Sequence, residues 1–141
     1  MRVLAILLLF FLLLSCSKRQ NTNALIGTWK MVYAETLEND SLVVKDLSNT
    51  EFIKIINQDH FAFFNQQKES ENRFYSGGGS YLLNGNNYYE TLSYISKVNL
   101  RGHVFPFHIE FRGDTLIQSG IEKVEKANIN RKITEKYIKM R

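Results

Sequence analysis

The sequence has few of the residues that cross-link or interrupt a chain. Cys16 is the only cysteine among 141 residues, so no internal disulfide can form. There is also one proline, Pro106, and one tryptophan, Trp29. The formal net charge of +4 is a mild excess, without the clustered basic face of a nucleic-acid-binding protein. We therefore expect a protein that binds no nucleic acid and has no disulfide within its domain.

Local motifs of catalysis and cofactor binding are also missing from the sequence. It has no Gly-x-Ser-x-Gly elbow, no His-Glu-x-x-His motif and no glycine fingerprint for a dinucleotide. His103 and His108 are five residues apart, which places them on opposite faces of a strand, and His60 lies on a distant segment. We predict that the protein is not an enzyme, uses no cofactor and has no catalytic or metal-ligating residues.

A long apolar run is present at the N-terminus. Residues 3–14 follow the basic start Met1-Arg2 and lead into Ser15-Cys16, as in a secretory signal. The run is too short for a typical membrane-spanning helix. A cysteine directly after a small residue resembles the lipobox of bacterial lipoproteins, while an incidental cysteine after an ordinary signal is the alternative. The resemblance implies cleavage before Cys16, acylation of Cys16 and anchoring in a membrane through the acyl chains.

The remaining chain is long enough for one domain and too short for two. We assign residues 1–15 to the signal peptide, 16–24 to the acylated cysteine and a flexible polar leash, and 25–141 to the domain. Lys18 and Arg19 follow the cysteine, and no acidic run that would resemble a surface-export signal is present. We therefore expect a lipid-anchored protein of the bacterial envelope that faces the periplasm.

The apolar pattern after residue 25 repeats every two residues, which indicates β-strands. One example is the alternation of Trp29, Met31 and Tyr33 with polar or smaller neighbours. The predicted strands are 28–33, 52–56, 60–64, 73–83, 88–98, 105–111, 115–118 and 133–140. The last segment fits a helix about as well as a strand, and residues 122–128 fit a short helical turn. Eight strands of this length form a sandwich or an up-and-down barrel, and closure favours a final strand because it removes the sheet edges.

The beginning of the first predicted strand contains a motif that is similar to one of a known protein superfamily. Leu25-Ile26-Gly27-Thr28-Trp29-Lys30 resembles the Gly-x-Trp signature of the lipocalin superfamily, in which the tryptophan closes one end of the barrel. Stretches at 59–63, 77–81, 88–90, 107–109 and 113–116 are similar to those of small bacterial lipocalin-like lipoproteins. The resemblance implies an all-β, single antiparallel barrel of about eight strands, with Gly27 and Trp29 as structural residues. It also implies binding of small, often apolar molecules.

Aromatic residues are dense between Phe61 and Phe111. They either fill the barrel or line a pocket at one end of it. An inward Glu90 needs a cation or a hydroxyl as partner, because an unpaired buried carboxylate is costly. The candidate partners are Lys54, Arg73 and Tyr81. The tentative ligand-binding residues are Phe61, Phe63, Tyr81, Tyr88, Glu90 and Phe107.

Three consecutive glycines, Gly77-Gly78-Gly79, lie inside a predicted strand. They indicate a bulge, a sharp bend at a barrel corner or the close approach of another backbone, and we predict the bend. If Ala62 points inward, Ala62→Trp fills the pocket. We predict a membrane-anchored protein that binds a small apolar or amphipathic ligand. The alternative is a filled barrel that acts as a protein–protein interaction module of the envelope without a small ligand.

Overall fold

The computed structural model describes residues 22–69 and 73–141, and within them the chain is almost entirely β-structure. The signal segment, Cys16 and most of the leash lie outside the described residues. A one-turn helix comes first, and two 3-10 turns at Val98–Leu100 and Glu125–Ala127 join later strands. The elements are α1 (Thr22–Leu25), β1 (Gly27–Glu38), β2 (Ser41–Val44), β3 (Thr50–Ile56), β4 (His60–Gln67), β5 (Phe74–Asn84), β6 (Asn87–Ile95), β7 (His103–Arg112), β8 (Thr115–Val124) and β9 (Ile129–Lys139).

The strands close into a barrel. From β3 to β9 each strand pairs antiparallel with the next one along the chain. β1 pairs with β3 through Gly27–Lys30 on one edge and with β9 on the other. The barrel therefore has eight strands, β1 and β3–β9, and the predicted all-β, lipocalin-like fold is confirmed.

The closing strand and the region before it differ in length from the prediction. β8 runs on to Val124, the helical turn is limited to Glu125–Ala127, and β9 already begins at Ile129. Asn128 takes a left-handed conformation with φ 53° between them, which turns the chain into β9. The final segment is a strand because its inward residues, such as Ile133 and Tyr137, are buried when it pairs with both β8 and β1.

β2 is a strand that the sequence pattern did not predict. It forms a hairpin with the outer half of β1, through a two-residue turn in which Asn39 and Asp40 have φ values of 50° and 59°. All four residues of β2 are exposed. Because neither face of the strand is buried, its sequence lacks the alternation of apolar and polar residues by which the other strands were predicted.

Irregularities in two strands change the direction of individual side chains. The register of β1 against β9 shifts between Met31 and Tyr33, so Tyr33 points outward and Ala34 takes the inward position. The pairing of β5 with β6 shifts between Gly78 and Gly79: Gly78 pairs with Tyr94 and Gly79 with Leu92, so the extra residue of the bulge is Ser93 of β6, opposite the glycines. Because of this shift Tyr94 is exposed, although strict alternation would have placed it inside.

Trp29 closes the end of the barrel at which β1 begins. Its indole Nε1 donates a hydrogen bond to the backbone oxygen of Leu25, at 2.8 Å, and its ring lies 6.1 Å from that of Phe111. Leu25, the last residue of α1, is fully buried. The opposite end, where β1 ends and β3 begins, is called the mouth below.

Candidate functional site

A buried ion pair occupies the middle of the barrel. Lys54 on β3 reaches across the interior and donates hydrogen bonds to the Glu90 carboxylate and, at 2.9 Å, to Oε1 of Gln118. All three side chains are buried. The Lys54 ammonium also lies 5.3–5.8 Å from the ring centroids of Phe61, Tyr88 and Tyr137. A cation in this cage is held by a carboxylate, an amide and aromatic faces, which offsets the loss of its hydration.

A second carboxylate lies next to this pair. Glu135 precedes Tyr137 by two residues on β9, and the Tyr137 hydroxyl donates to its Oε2 at 2.6 Å. Burial raises the pKa of Glu135, while the nearby Lys54 ammonium opposes that rise. Burial also raises the pKa of Tyr137 well above its usual value, reinforced by Glu135. Glu135 thus connects the ion pair in the centre to the open end of the barrel.

Tyr88 is the exception in this network, because its fully buried hydroxyl finds no hydrogen-bond partner among residues 22–69 and 73–141. Burial, reinforced by the charge of the Glu90 carboxylate, raises the pKa of Tyr88 well above its usual value. An unsatisfied buried hydroxyl costs about 1–3 kcal/mol.

We therefore expect Tyr88→Phe to leave the free energy of unfolding unchanged or to raise it by about 1 kcal/mol. Chemical denaturation followed by circular dichroism measures this change. Tyr137→Phe is the matched control, because it removes a hydroxyl that does donate a hydrogen bond, and it should destabilise. A loss of more than about 1 kcal/mol in Tyr88→Phe would show that its hydroxyl is bonded.

Above the ion pair, a cavity of about 230 Å³ opens at the mouth. Its wall contains the apolar side chains of Met31, Ala34, Phe52 and Ile133. Its polar side carries both signs of charge. These polar lining residues are Glu35, Thr36, Lys45, Glu122, Arg131 and Glu135.

The charges at the cavity differ in how they are paired. Arg131 and Glu122 form a salt bridge of 2.6 Å across β8 and β9. Lys45, just after β2, has no carboxylate within ion-pair distance in the described part of the chain. Its Nζ lies 5.2 Å from the Phe52 ring centroid and 3.4 Å from Oδ1 of Asn65. Burial lowers the pKa of Lys45, and the charge of the nearby Glu135 carboxylate opposes part of that shift.

The structure brings the six predicted ligand-binding residues together inside the barrel, but it does not place them at this cavity. Phe63 is partly buried, and its ring packs against those of Phe52 and Tyr75, each at 5.5 Å. Tyr81 donates its hydroxyl to the backbone oxygen of Asn57 at 2.7 Å. The assignment of all six residues to a ligand stays a prediction. The five residues other than Phe63 are buried, namely Phe61, Tyr81, Tyr88, Glu90 and Phe107.

Among the three candidate partners of Glu90, Lys54 is the one that bonds it. Ala62 lies between two inward phenylalanines and borders a groove on the outer surface, so Ala62→Trp would not fill the interior. His60 and His108 are exposed, at a turn and on the outer face as expected.

Sequence reasoning missed the residues that form the mouth. Lys45 follows the unpredicted strand β2, and Glu135 lies where helix and strand had remained open. The alternation of Ile133, Glu135 and Tyr137 in a strand would have placed Glu135 inside.

The described residues were also compared with what a membrane-spanning helix and a metal site require. Within residues 22–69 and 73–141, no helix has the length and apolarity needed to cross a membrane. In the same residues, no three histidine, cysteine or acidic side chains form a group suited to hold a metal ion.

Comparison with models of protein families gives a match. Residues 24–141, which include α1, the barrel and the mouth cavity, match the family described as Domain of unknown function (DUF4488). No curated protein matches the sequence significantly. Since the match covers most of the chain and the whole barrel, the chain belongs to the DUF4488 family.

Proposed function

We propose that this barrel binds a small amphipathic molecule in the mouth cavity. The observation that supports the proposal is the composition of the cavity wall, which is apolar along Met31, Ala34, Phe52 and Ile133 and charged at Lys45 and Glu135. A ligand with an apolar body and a polar group satisfies both sides, since its body leaves water while its polar group keeps partners.

The volume limits the size of the ligand. At about 230 Å³ the cavity is smaller than the roughly 300–1,000 Å³ of common ligand pockets. It is larger than the roughly 150 Å³ of a cavity that holds benzene. A molecule of about ten non-hydrogen atoms therefore matches the space, and its affinity would fall between about 10 µM and 1 mM.

Among the charged residues of the cavity, Lys45 is the one that an anionic polar group of the ligand would contact. Glu135 already accepts from Tyr137 and faces Lys54, and Arg131 is paired with Glu122. Lys45 is the cation with the weakest compensation at the cavity. A carboxylate on the ligand would give Lys45 the partner that it lacks among the described residues.

The proposal predicts that filling the cavity abolishes binding. Octanoate, octanol and octylamine serve as probes of one size with an anionic, a neutral and a cationic head group, measured by calorimetry. We expect octanoate to bind most tightly and Ala34→Phe to weaken it at least about tenfold, because the new ring occupies the space of the apolar body. Val32→Phe is the matched control, since Val32 lies on the same strand and is exposed.

The expected result requires that both variants remain folded, which circular dichroism and thermal unfolding establish. Unchanged octanoate affinity in a folded Ala34→Phe protein would contradict the mouth cavity as the site. Equal affinity for octanoate and octylamine would contradict the role given to Lys45.

We further propose that the barrel is tethered in a bacterial envelope through acylated Cys16, facing the periplasm, and that it sequesters or hands over its ligand there. The support is the N-terminal sequence pattern. Mass spectrometry of the protein purified from membranes tests this proposal. An N-terminal fragment beginning at an acylated Cys16 is expected, and an unmodified Cys16 would contradict it.

One observation favours the second candidate, an interaction module. The β1–β2 hairpin exposes the apolar side chains of Leu37, Leu42 and Val44 on one face and that of Val43 on the other. Exposed apolar clusters mark contact surfaces when they are large enough. This function needs no ligand in the barrel, so failure of all three probes to bind would favour it.

A further inference from the structure

A groove of about 600 Å³ crosses the outer surface of the barrel, separate from the mouth. It lies on β4, β5 and the end of β6, on the side of the sheet that faces solvent. We call it the outer groove and define it by six of its lining residues: Ala62, Phe64, Phe74, Ser76, Gly78 and Tyr94.

The floor of the outer groove is low because the side chains there are small. Ala62 of β4 and Gly78 of β5 are paired at the floor, and Tyr94 of β6 is the neighbour of Gly78 on its other side. A Cβ atom on Gly78 would lie 2.6 Å from the backbone oxygen of Phe61, so the tight strand packing requires glycine at this position. The trough is therefore built into the backbone and does not depend on flexible side chains.

Aromatic rings form the sides of the outer groove. Phe64, Phe74 and Tyr94 are 38%, 55% and 72% exposed. The rings of Phe64 and Phe74 stack, with centroids 6.3 Å apart and planes at 27°. Large aromatic side chains around one depression keep apolar surface in water, and such surface commonly marks a binding site.

The lining carries no aspartate, glutamate, lysine or arginine, although these residues make up 23% of the chain. Its polar groups include Ser76, Ser96 and His60, whose Nδ1 is 2.7 Å from Asp59. A site with hydroxyls and an imidazole but no such charged side chain suits a neutral ligand, because a charged one would lose hydration without gaining a counter-charge.

The shape of the site narrows the class of ligand further. Because the outer groove is open to solvent, an alkyl chain lying in it would keep much of its apolar surface in water. A pyranose ring has an apolar C–H face, which packs on the electron-rich face of an aromatic ring, and a rim of hydroxyls that stays hydrated. We propose that the outer groove binds a neutral oligosaccharide of β-linked hexopyranose units, whose equatorial substituents leave both ring faces flat.

Titration of the ¹⁵N-labelled protein with cellohexaose or chitohexaose tests this proposal. We expect saturable shifts of the Gly78 and Tyr94 amide signals, with a Kd of about 1 mM or tighter for at least one of the two probes. Tyr94→Ala should weaken binding roughly tenfold because the exposed ring carries much of the stacking surface. Tyr89→Ala is the control, since Tyr89 is an exposed tyrosine of β6 that lies outside the groove lining.

The absence of shifts at about 5 mM of both saccharides would overturn the proposal. So would an equal effect of Tyr94→Ala and Tyr89→Ala. Shifts of the groove signals with octanol alone would identify the occupant as an apolar chain and would also overturn it. Because the mouth cavity lies inside the barrel, octanoate binding and its loss in Ala34→Phe are independent of these outcomes.

Discussion

Glu90→Leu should lower the free energy of unfolding by about 3–5 kcal/mol, the cost of leaving one member of a buried ion pair without its partner. Lys54 is 3% exposed and Glu90 is 8% exposed, so water cannot replace the lost carboxylate. Gln118 would remain as a hydrogen-bond acceptor and the Glu135 carboxylate would remain nearby, but neither forms an ion pair with the Lys54 ammonium at contact distance. Urea denaturation of both proteins measures the difference.

The double variant Lys54→Met/Glu90→Leu separates loss of charge pairing from loss of packing. It removes both charges and keeps similar side-chain volumes, so we expect it to recover most of the stability lost in Glu90→Leu. The remaining deficit would come from Gln118, which loses its donor. A double variant that is as unstable as the sum of both single variants would contradict a compensated ion pair.

Gly79→Ala should lower the free energy of unfolding by at least about 3 kcal/mol, although it adds only one methyl group. A Cβ atom at this position would lie 1.8 Å from the backbone oxygen of Thr91 and 2.9 Å from the backbone nitrogen of Ser93. Both contacts are with the backbone of β6 beside the bulge, so the paired strands themselves must separate. Thermal unfolding followed by circular dichroism gives the loss.

Gly85→Ala is the matched control for this effect. Gly85 has φ 61° in the β5–β6 turn, and a Cβ atom there would have no atom within 4 Å. Gly85→Ala should lower the free energy of unfolding by only about 1–2 kcal/mol, the cost of placing a Cβ atom on a residue in the left-handed conformation. If Gly79→Ala were no worse than Gly85→Ala, the close approach of β5 and β6 at the bulge would be incorrect.

The fold could be predicted because local signals in this chain agree with the global structure. Seven of the eight barrel strands carry clear period-two patterns or turn residues, such as the Asn57–Asp59 turn and the left-handed Gly85. Bulges could not be predicted in detail, since they depend on how two strands pair. Tyr33 and Tyr94 therefore point outward, against simple alternation.

The interior chemistry was predictable only in part. The sequence identified Glu90 as an inward carboxylate with Lys54 among its candidate partners. That Lys54 is the partner depends on barrel closure, because closure brings Lys54 and Glu90, which are 36 residues apart in the sequence, together inside the barrel. Lys45 could not be found, because it reaches the mouth from an exposed hairpin that no apolar period predicts.

The binding of a small amphipathic molecule in the mouth cavity is tested most directly by methyl NMR with octanoate as the probe. The account predicts saturable shifts of the Met31, Ala34 and Ile133 methyl signals, which line the cavity, and no shift of the Val32 and Ile55 methyl signals on the outside. Unchanged cavity signals at a saturating concentration, or shifts confined to the outer methyl groups, would contradict it.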